Sequence, residues 1–160
     1  MKSINNKAYC DHCNDMVEYV VKEEKNTITV RGTSFEVIEH IPYCKKCGKS
    51  LWINEIEKDN EINVYDIYKQ KVGLLTSKEI YDIRKKRGMS QKQLADFLYI
   101  GEKDITRYEN GAIQSKAIDT MIRMVGDDDI FANMNRLRSK HNYKFVSKNV
   151  MLQKNETKVS

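Results

Sequence analysis

Two short cysteine knuckles constrain this chain more than any other feature: Cys10-Asp11-His12-Cys13 and Cys44-Lys45-Lys46-Cys47-Gly48, with 30 residues between them and no further cysteine anywhere. Tetrahedral zinc takes four soft ligands at about 2.3 Å, and a CxxC turn places two sulfurs on one side of such a centre while its amides soften their charge. Two knuckles complete the shell and leave no position for water or substrate, so the expected Zn2+ is structural, one per chain. A thioredoxin-type redox motif is the competing use of CxxC, but such motifs sit singly on a βαβ unit, and neither pair is flanked by one. The opening Met1-Lys2-Ser3-Ile4-Asn5-Asn6-Lys7 leads into no apolar run, so it does not read as a secretory signal, and no stretch approaches the ~20 apolar residues of a membrane span. The expected location is therefore cytoplasmic, where thiols stay reduced and favour metal over disulfides. His12 and His40 lie near the cysteines and are expected to face solvent.

The chain between and around the knuckles reads as β-rich. Met16–Val21, Thr27–Val30 and Ser34–Glu39 carry β-formers, with turns expected at Lys25-Asn26 and Gly32-Thr33. From Asp59 the period changes: Ile62, Tyr65, Tyr68 and Val72 mark one face of a connecting helix ending near Gly73. Its expected use is to pack on one domain, and no Gly-, Ser- or Pro-rich linker or internal repeat is visible. The organisation expected is α+β: a four-cysteine zinc module over 8–58, a connecting helix over 59–75, an all-α domain over 76–140 and a basic, loosely ordered tail over 141–160. Net charge divides along these lines, −1 for 1–59, 0 for 60–75, and +3 for each of 76–126 and 127–160.

The all-α part opens with Thr76-x-x-Glu79, a capping box for a helix through Arg87, with Ile80 and Ile83 inward and Gly88 as its stop. Ser90-x-x-Gln93 is a second box, for a helix carrying Leu94, Ala95 and Leu98. Gly101 opens a third helix, Glu102 to Glu109, closed by Asn110-Gly111, and Ser115 a fourth with Ile118, Met121, Ile122 and Val125 at core spacing. Asp127-Asp128-Asp129 suits the positive start of a fifth containing Ile130, Phe131, Met134 and Leu137. Ser90 to Gly111 has the register of a helix-turn-helix: Ala95 sits where two helices cross closely, Ile100 and Ile105 fill the space between them, and the second helix is free to enter a major groove. Glu102, Lys103, Thr106 and Arg107 lie on its first two turns, the part that faces base edges. Gln91, starting the preceding helix, is placed for a phosphate. The run Arg84-Lys85-Lys86-Arg87 reads either as further backbone contacts or as a solvated face.

With those residues in hand, Ser90–Gly111 resembles the Cro/repressor-type helix-turn-helix, whose pattern is Ser-Gln, Leu-Ala and an aromatic-Glu-Asn-Gly ending. The whole layout of CxxC, hairpin, CxxCG, connecting helix and helix-turn-helix, over roughly 8–138, resembles the MqsA antitoxin family with its YgiT-type zinc module. The resemblance implies a structural zinc on Cys10, Cys13, Cys44 and Cys47, an N-terminal domain that binds a cognate toxin, and a C-terminal domain that dimerises and represses its own operon. It also implies that Arg107 reads bases. Where the family has a second base-reading residue, an asparagine, this chain has Lys103; asparagine suits adenine, whereas lysine suits guanine or a phosphate. In the turn, Tyr99 replaces the usual small residue and Gly101 the usual Ser or Thr cap.

The function expected is thus an antitoxin that binds double-stranded DNA at a palindromic operator, as a homodimer, and a toxin through its N-terminal domain. The alternative is a regulator on a phage or other mobile element whose zinc module binds another protein. Nothing points to an enzyme: the sequence offers no Ser/His/Asp set, phosphate loop or open metal site.

Overall fold

The computed structural model describes residues 6–140, and the tail expected over 141–160 lies outside them. The chain divides into two compact units, Met1–Val72 and Gly73–Ser160. The first holds a three-stranded antiparallel sheet in the order β1 (Lys7–Cys10), β2 (Asp15–Val30), β3 (Thr33–Cys44), followed by α1 (Asn54–Lys71); the described residues of the second form five helices, so the class is α+β.

β2 is one unbroken strand. Lys25 and Asn26, expected as a turn, pair with Ile38 and Val37. Their polarity is met across the strand pair on its two faces, Lys25 pairing with Glu36 at 2.8 Å and Asn26 donating to Glu39 at 2.7 Å. The reversal falls at Arg31-Gly32, one residue before the expected Gly32-Thr33, and both residues have positive φ, the backbone demanded by a tight hairpin turn. β1 covers only Asp15–Glu18 of β2, leaving the rest of β2–β3 as a two-stranded arm.

The outer edge of β3 is largely occupied. Asn60 of α1 accepts from the His40 N–H and donates to the His40 carbonyl, both at 2.9 Å, and Asn63 donates to the Ile38 carbonyl. Pro42 has no N–H to offer, and its carbonyl accepts from Leu51. An edge so filled is closed to indiscriminate pairing. The helix also differs from the expected one: α1 begins at Asn54 rather than near Asp59, and its buried face includes Asn60, Val64 and Tyr68, while Val72 is exposed beyond its end. Apolar period alone passes over a buried asparagine.

In the second unit α2 (Ser77–Lys86), α3 (Gln91–Leu98), α4 (Glu102–Glu109), α5 (Lys116–Gly126) and α6 (Asp128–Lys140) surround a core of Leu75, Ile80, Leu94, Ala95, Phe97, Leu98, Ile105, Ile122, Val125 and Phe131. Thr76 and Ser90 form the expected capping boxes, each side-chain oxygen taking an N3 amide while Glu79 or Gln93 returns to the cap's own N–H. Asp127 caps α6 by accepting from the Ile130 N–H. On α6 only part of the expected apolar set is inward: Phe131 is buried and Met134 packs on the core, but Ile130 and Leu137 are exposed.

Candidate metal centre and nucleic-acid interface

The first knuckle bridges β1 to β2 and the second follows β3, so the register of the sheet brings them together. All four Sγ atoms lie within 4.8 Å of one another, with Cys10 3.7 Å from Cys47 and Cys13 3.9 Å from Cys44. A tetrahedron with sulfurs about 2.3 Å from its centre has edges of about 3.8 Å, so these separations fit a zinc ion between them. They are far too long for disulfides, and all four cysteines are free. Each knuckle is followed by a residue in the left-handed region, Asn14 (φ 52°) after Cys13 and Gly48 (φ 74°) after Cys47. Gly48 was legible in the sequence, whereas Asn14 was not singled out.

Cys10 and Cys44 are buried, packed with Val17 and Leu51; Cys13 and Cys47 are half-buried. Lys46 and Cys47 direct backbone N–H groups at the Cys44 sulfur, at 3.3 and 3.4 Å. Burial opposes ionisation of Cys44, but those two amides and the Cys47 and Cys10 thiols outweigh it and bring the group down to about 7. Cys13 goes the other way, pushed up to about 12 by burial and by hydrogen bonds with the other three thiols. Four thiolates in this space therefore need a cation among them. His12 and His40 are exposed, and His40 lies 3.6 Å from Glu23. Among the described residues this cluster alone has a metal-binding arrangement, and the three aspartates at 127–129 do not form one.

The second constellation is built on α3 and α4. Ala95 and Ile105 are completely buried where the two helices meet, and Ile100 packs beside them. With Ile105 inward, Glu102, Lys103, Thr106 and Arg107 form one exposed surface on α4. Arg107, 68% exposed in its side chain, lies 3.5 Å from Asp104, and Glu102 lies 3.4 Å from Lys92. Gln91 joins this surface through its neighbours: its carbonyl oxygen accepts from the Thr106 hydroxyl and its amide donates to Glu109, both at 2.8 Å.

Glu109 itself was not foreseen as part of this set. It forms a two-pronged pair with Arg84, at 2.5 and 2.9 Å, both side chains almost fully buried, and Arg84 also donates to the Met89 carbonyl. The basic run at 84–87 is therefore neither a backbone-contact strip nor a solvated face as a whole. Arg84 ties α2 to the end of α4, while Lys86 and Arg87 donate to the Gly126 and Val125 carbonyls at the end of α5 and pair with Asp128. Helix C-termini attract cations in this way.

No helix among the described residues is long and apolar enough to cross a membrane. No curated protein matches the chain. The family model described as the antitoxin component of bacterial toxin-antitoxin systems, MqsA, matches residues 7–126, a span that takes in all four cysteines, the hairpin and α1 to α5, and stops short of α6. A sheet that gathers two cysteine knuckles, followed by a helical unit with an exposed α4, thus comes with a matching family across most of its length, and this chain belongs to the MqsA antitoxin family.

Proposed function

We propose that the chain is a zinc-containing, sequence-specific DNA-binding repressor that neutralises a toxin and represses its own operon. The observation that carries the DNA half is the exposed row of Glu102, Lys103, Thr106 and Arg107 on a short helix whose opposite side is sealed by Ile105. Such a helix presents donors and an acceptor to base edges in a major groove. Arg107 suits a guanine through two parallel hydrogen bonds, Lys103 a guanine or a phosphate, and Glu102 a cytosine amine once Lys92 is drawn to the backbone. Gln91 has its carboxamide already engaged by Glu109 and Thr106, so the phosphate it meets is taken by the α3 N-terminal amides together with a remaining amide hydrogen. One small domain contacts few bases, and a homodimer on a palindrome doubles the contact set.

The zinc, held by Cys10, Cys13, Cys44 and Cys47, staples a sheet too small to stand on its own core and takes part in no reaction. The module over 8–58 supplies the surface for the toxin, with the edge of β2 beyond Glu18, which β1 does not cover, as its open backbone, and the domain over 76–140 supplies the DNA contacts. No enzymatic role is assigned, and the site of action is the cytoplasm.

Selection of duplexes from a random pool by the full-length protein tests the DNA half. The expected product is a two-fold symmetric site for which Arg107→Ala loses about 1–3 kcal/mol and relaxes the preference at one base pair per half-site. Wild-type protein that enriches no sequence would overturn the reading. The toxin half is tested by co-purification with the product of the adjacent gene, in which a stable complex is expected.

A further inference from the structure

The turn between α3 and α4 contains the least comfortable backbone in the helical unit. Tyr99 is left-handed, with φ 55° and ψ 41°, a conformation that glycine or asparagine adopts far more readily than tyrosine. The end of α3 closes in the usual way around such a residue: the Ile100 N–H bonds the Ala95 carbonyl at 3.1 Å and the Tyr99 N–H the Asp96 carbonyl at 3.4 Å. The next carbonyl, that of Phe97, accepts from the guanidinium of Arg138 on α6. That guanidinium also lies over aromatic rings, its carbon 3.8 Å from the Phe97 ring centre and 4.8 Å from that of Tyr99. Phe131, two turns before Arg138 on α6, has its ring centre 5.4 Å from that of Phe97. One helix therefore holds the end of α3 by a hydrogen bond, two ring contacts and a ring pair.

We infer that Arg138 is a positioning residue for DNA reading: by clamping the Phe97 carbonyl and the Tyr99 ring it fixes the strained turn, and hence the direction in which α4 leaves α3. The inference rests on the DNA-binding reading above and goes beyond it, since α6 lies outside the span the family model matches. A lysine cannot replace the arginine here, because a compact ammonium cannot spread over two rings and donate to the Phe97 carbonyl at once, as the broad guanidinium does. The clamp also answers the tyrosine at a position where a small residue would need none. Removing the arginine leaves the tyrosine strained and its ring without that contact. Arg138 works through Tyr99, so the two substitutions should not be independent in their effect on binding.

The test uses full-length protein in two arms. In the first, amide hydrogen exchange is followed without DNA for wild type, Arg138→Ala and Arg138→Lys. Both variants should exchange about tenfold faster at Tyr99 and Ile100, whose N–H groups close the turn, with little change at Ile105 and Ile122. In the second, affinity for the duplex that wild-type protein selects from a random pool is measured across a salt series. Both variants should bind about tenfold more weakly with an unchanged salt slope, and in a Tyr99→Gly background the loss from Arg138→Ala should shrink to about twofold. A slope reduced by about one in Arg138→Ala would make the arginine a phosphate contact and overturn the proposal. So would full rescue by lysine, or exchange at Ile100 that does not change. Wild-type protein that selects no duplex would overturn the DNA reading itself, while the exchange arm would still decide whether the clamp exists.

Discussion

Four neighbouring cations, Arg84 to Arg87, do different work according to what each can reach. Arg84 is buried because Glu109 faces it with both oxygens, and its guanidinium is held above its ordinary value first by that hydrogen bond, against the opposing effect of burial. Arg87 lies 4.4 Å from the Phe131 ring centre and caps α5. Composition registers them only as positive charge, and the sequence reading accordingly missed that a glutamate 25 positions away claims the first of them. The cysteines were legible for the opposite reason. Their partners are each other, and the spacing within a knuckle already dictates the geometry. A second buried acid yields a pH prediction. Asp119 accepts from the Leu75 N–H, Gln114 and Arg123 at 2.7 to 2.9 Å. Burial pushes its carboxyl up, but the Leu75 amide, Arg123 and Gln114 together hold it below the usual carboxylate range. A carboxyl depressed in the folded state adds stability that is complete above the unfolded value of about 3.9 and is lost as pH falls below it. Asp119→Asn should therefore flatten the acid limb of stability below about pH 4 and lower stability at pH 7; denaturant unfolding over a pH series checks both, and an unchanged acid limb would contradict the assignment.

Among the elements, the helices were the most readable, because caps and stops are local chemistry: Thr76, Ser90 and Ser115 each take the amide expected of them. The strands were less so. Lys25-Asn26 looks like a turn in sequence and lies mid-strand, since a two-stranded arm carries polar residues, here paired with Glu36 and Glu39 across it, as readily as a loop does. The true reversal carries a cost. Arg31 has φ 47° beside Gly32 at 81°, and a non-glycine residue there is about 1–2 kcal/mol above its preferred backbone. Arg31→Asn creates the Asn-Gly pair such turns favour and should raise the stability of the sheet unit by up to about 1 kcal/mol, read from hydrogen exchange along β2 and β3. Unchanged or faster exchange would mean the turn is not the one described. Removal of the metal acts on the same unit. Chelation of the zinc-loaded protein should abolish amide protection in β1, β2 and β3 while α2 to α5 keep theirs, because the small sheet core of Val17 and Leu51 is built around the cysteines. Protection that survives in the strands would show that the sheet stands without its staple.

At the scale of the whole molecule, class and motif order could be read from the sequence because each unit carries its own signal, cysteine spacing in one and capped helices in the other. What could not be read were the pairings that join distant positions: Asn60 with the His40 backbone, Glu109 with Arg84, Arg138 with Phe97. These depend on which surfaces the fold brings together, and no local pattern encodes them. They also settle which polar groups are consumed inside the molecule and which face outward. Arg84 and Arg87 are consumed, while Lys103 and Arg107 face outward. The most direct measurement is an amide chemical-shift titration of the zinc-loaded full-length protein with its selected duplex. Large shifts should fall at the start of α3 and over Glu102–Arg107, with β1 to β3 unmoved. Shifts centred on the sheet, or an α4 that does not respond, would contradict the account.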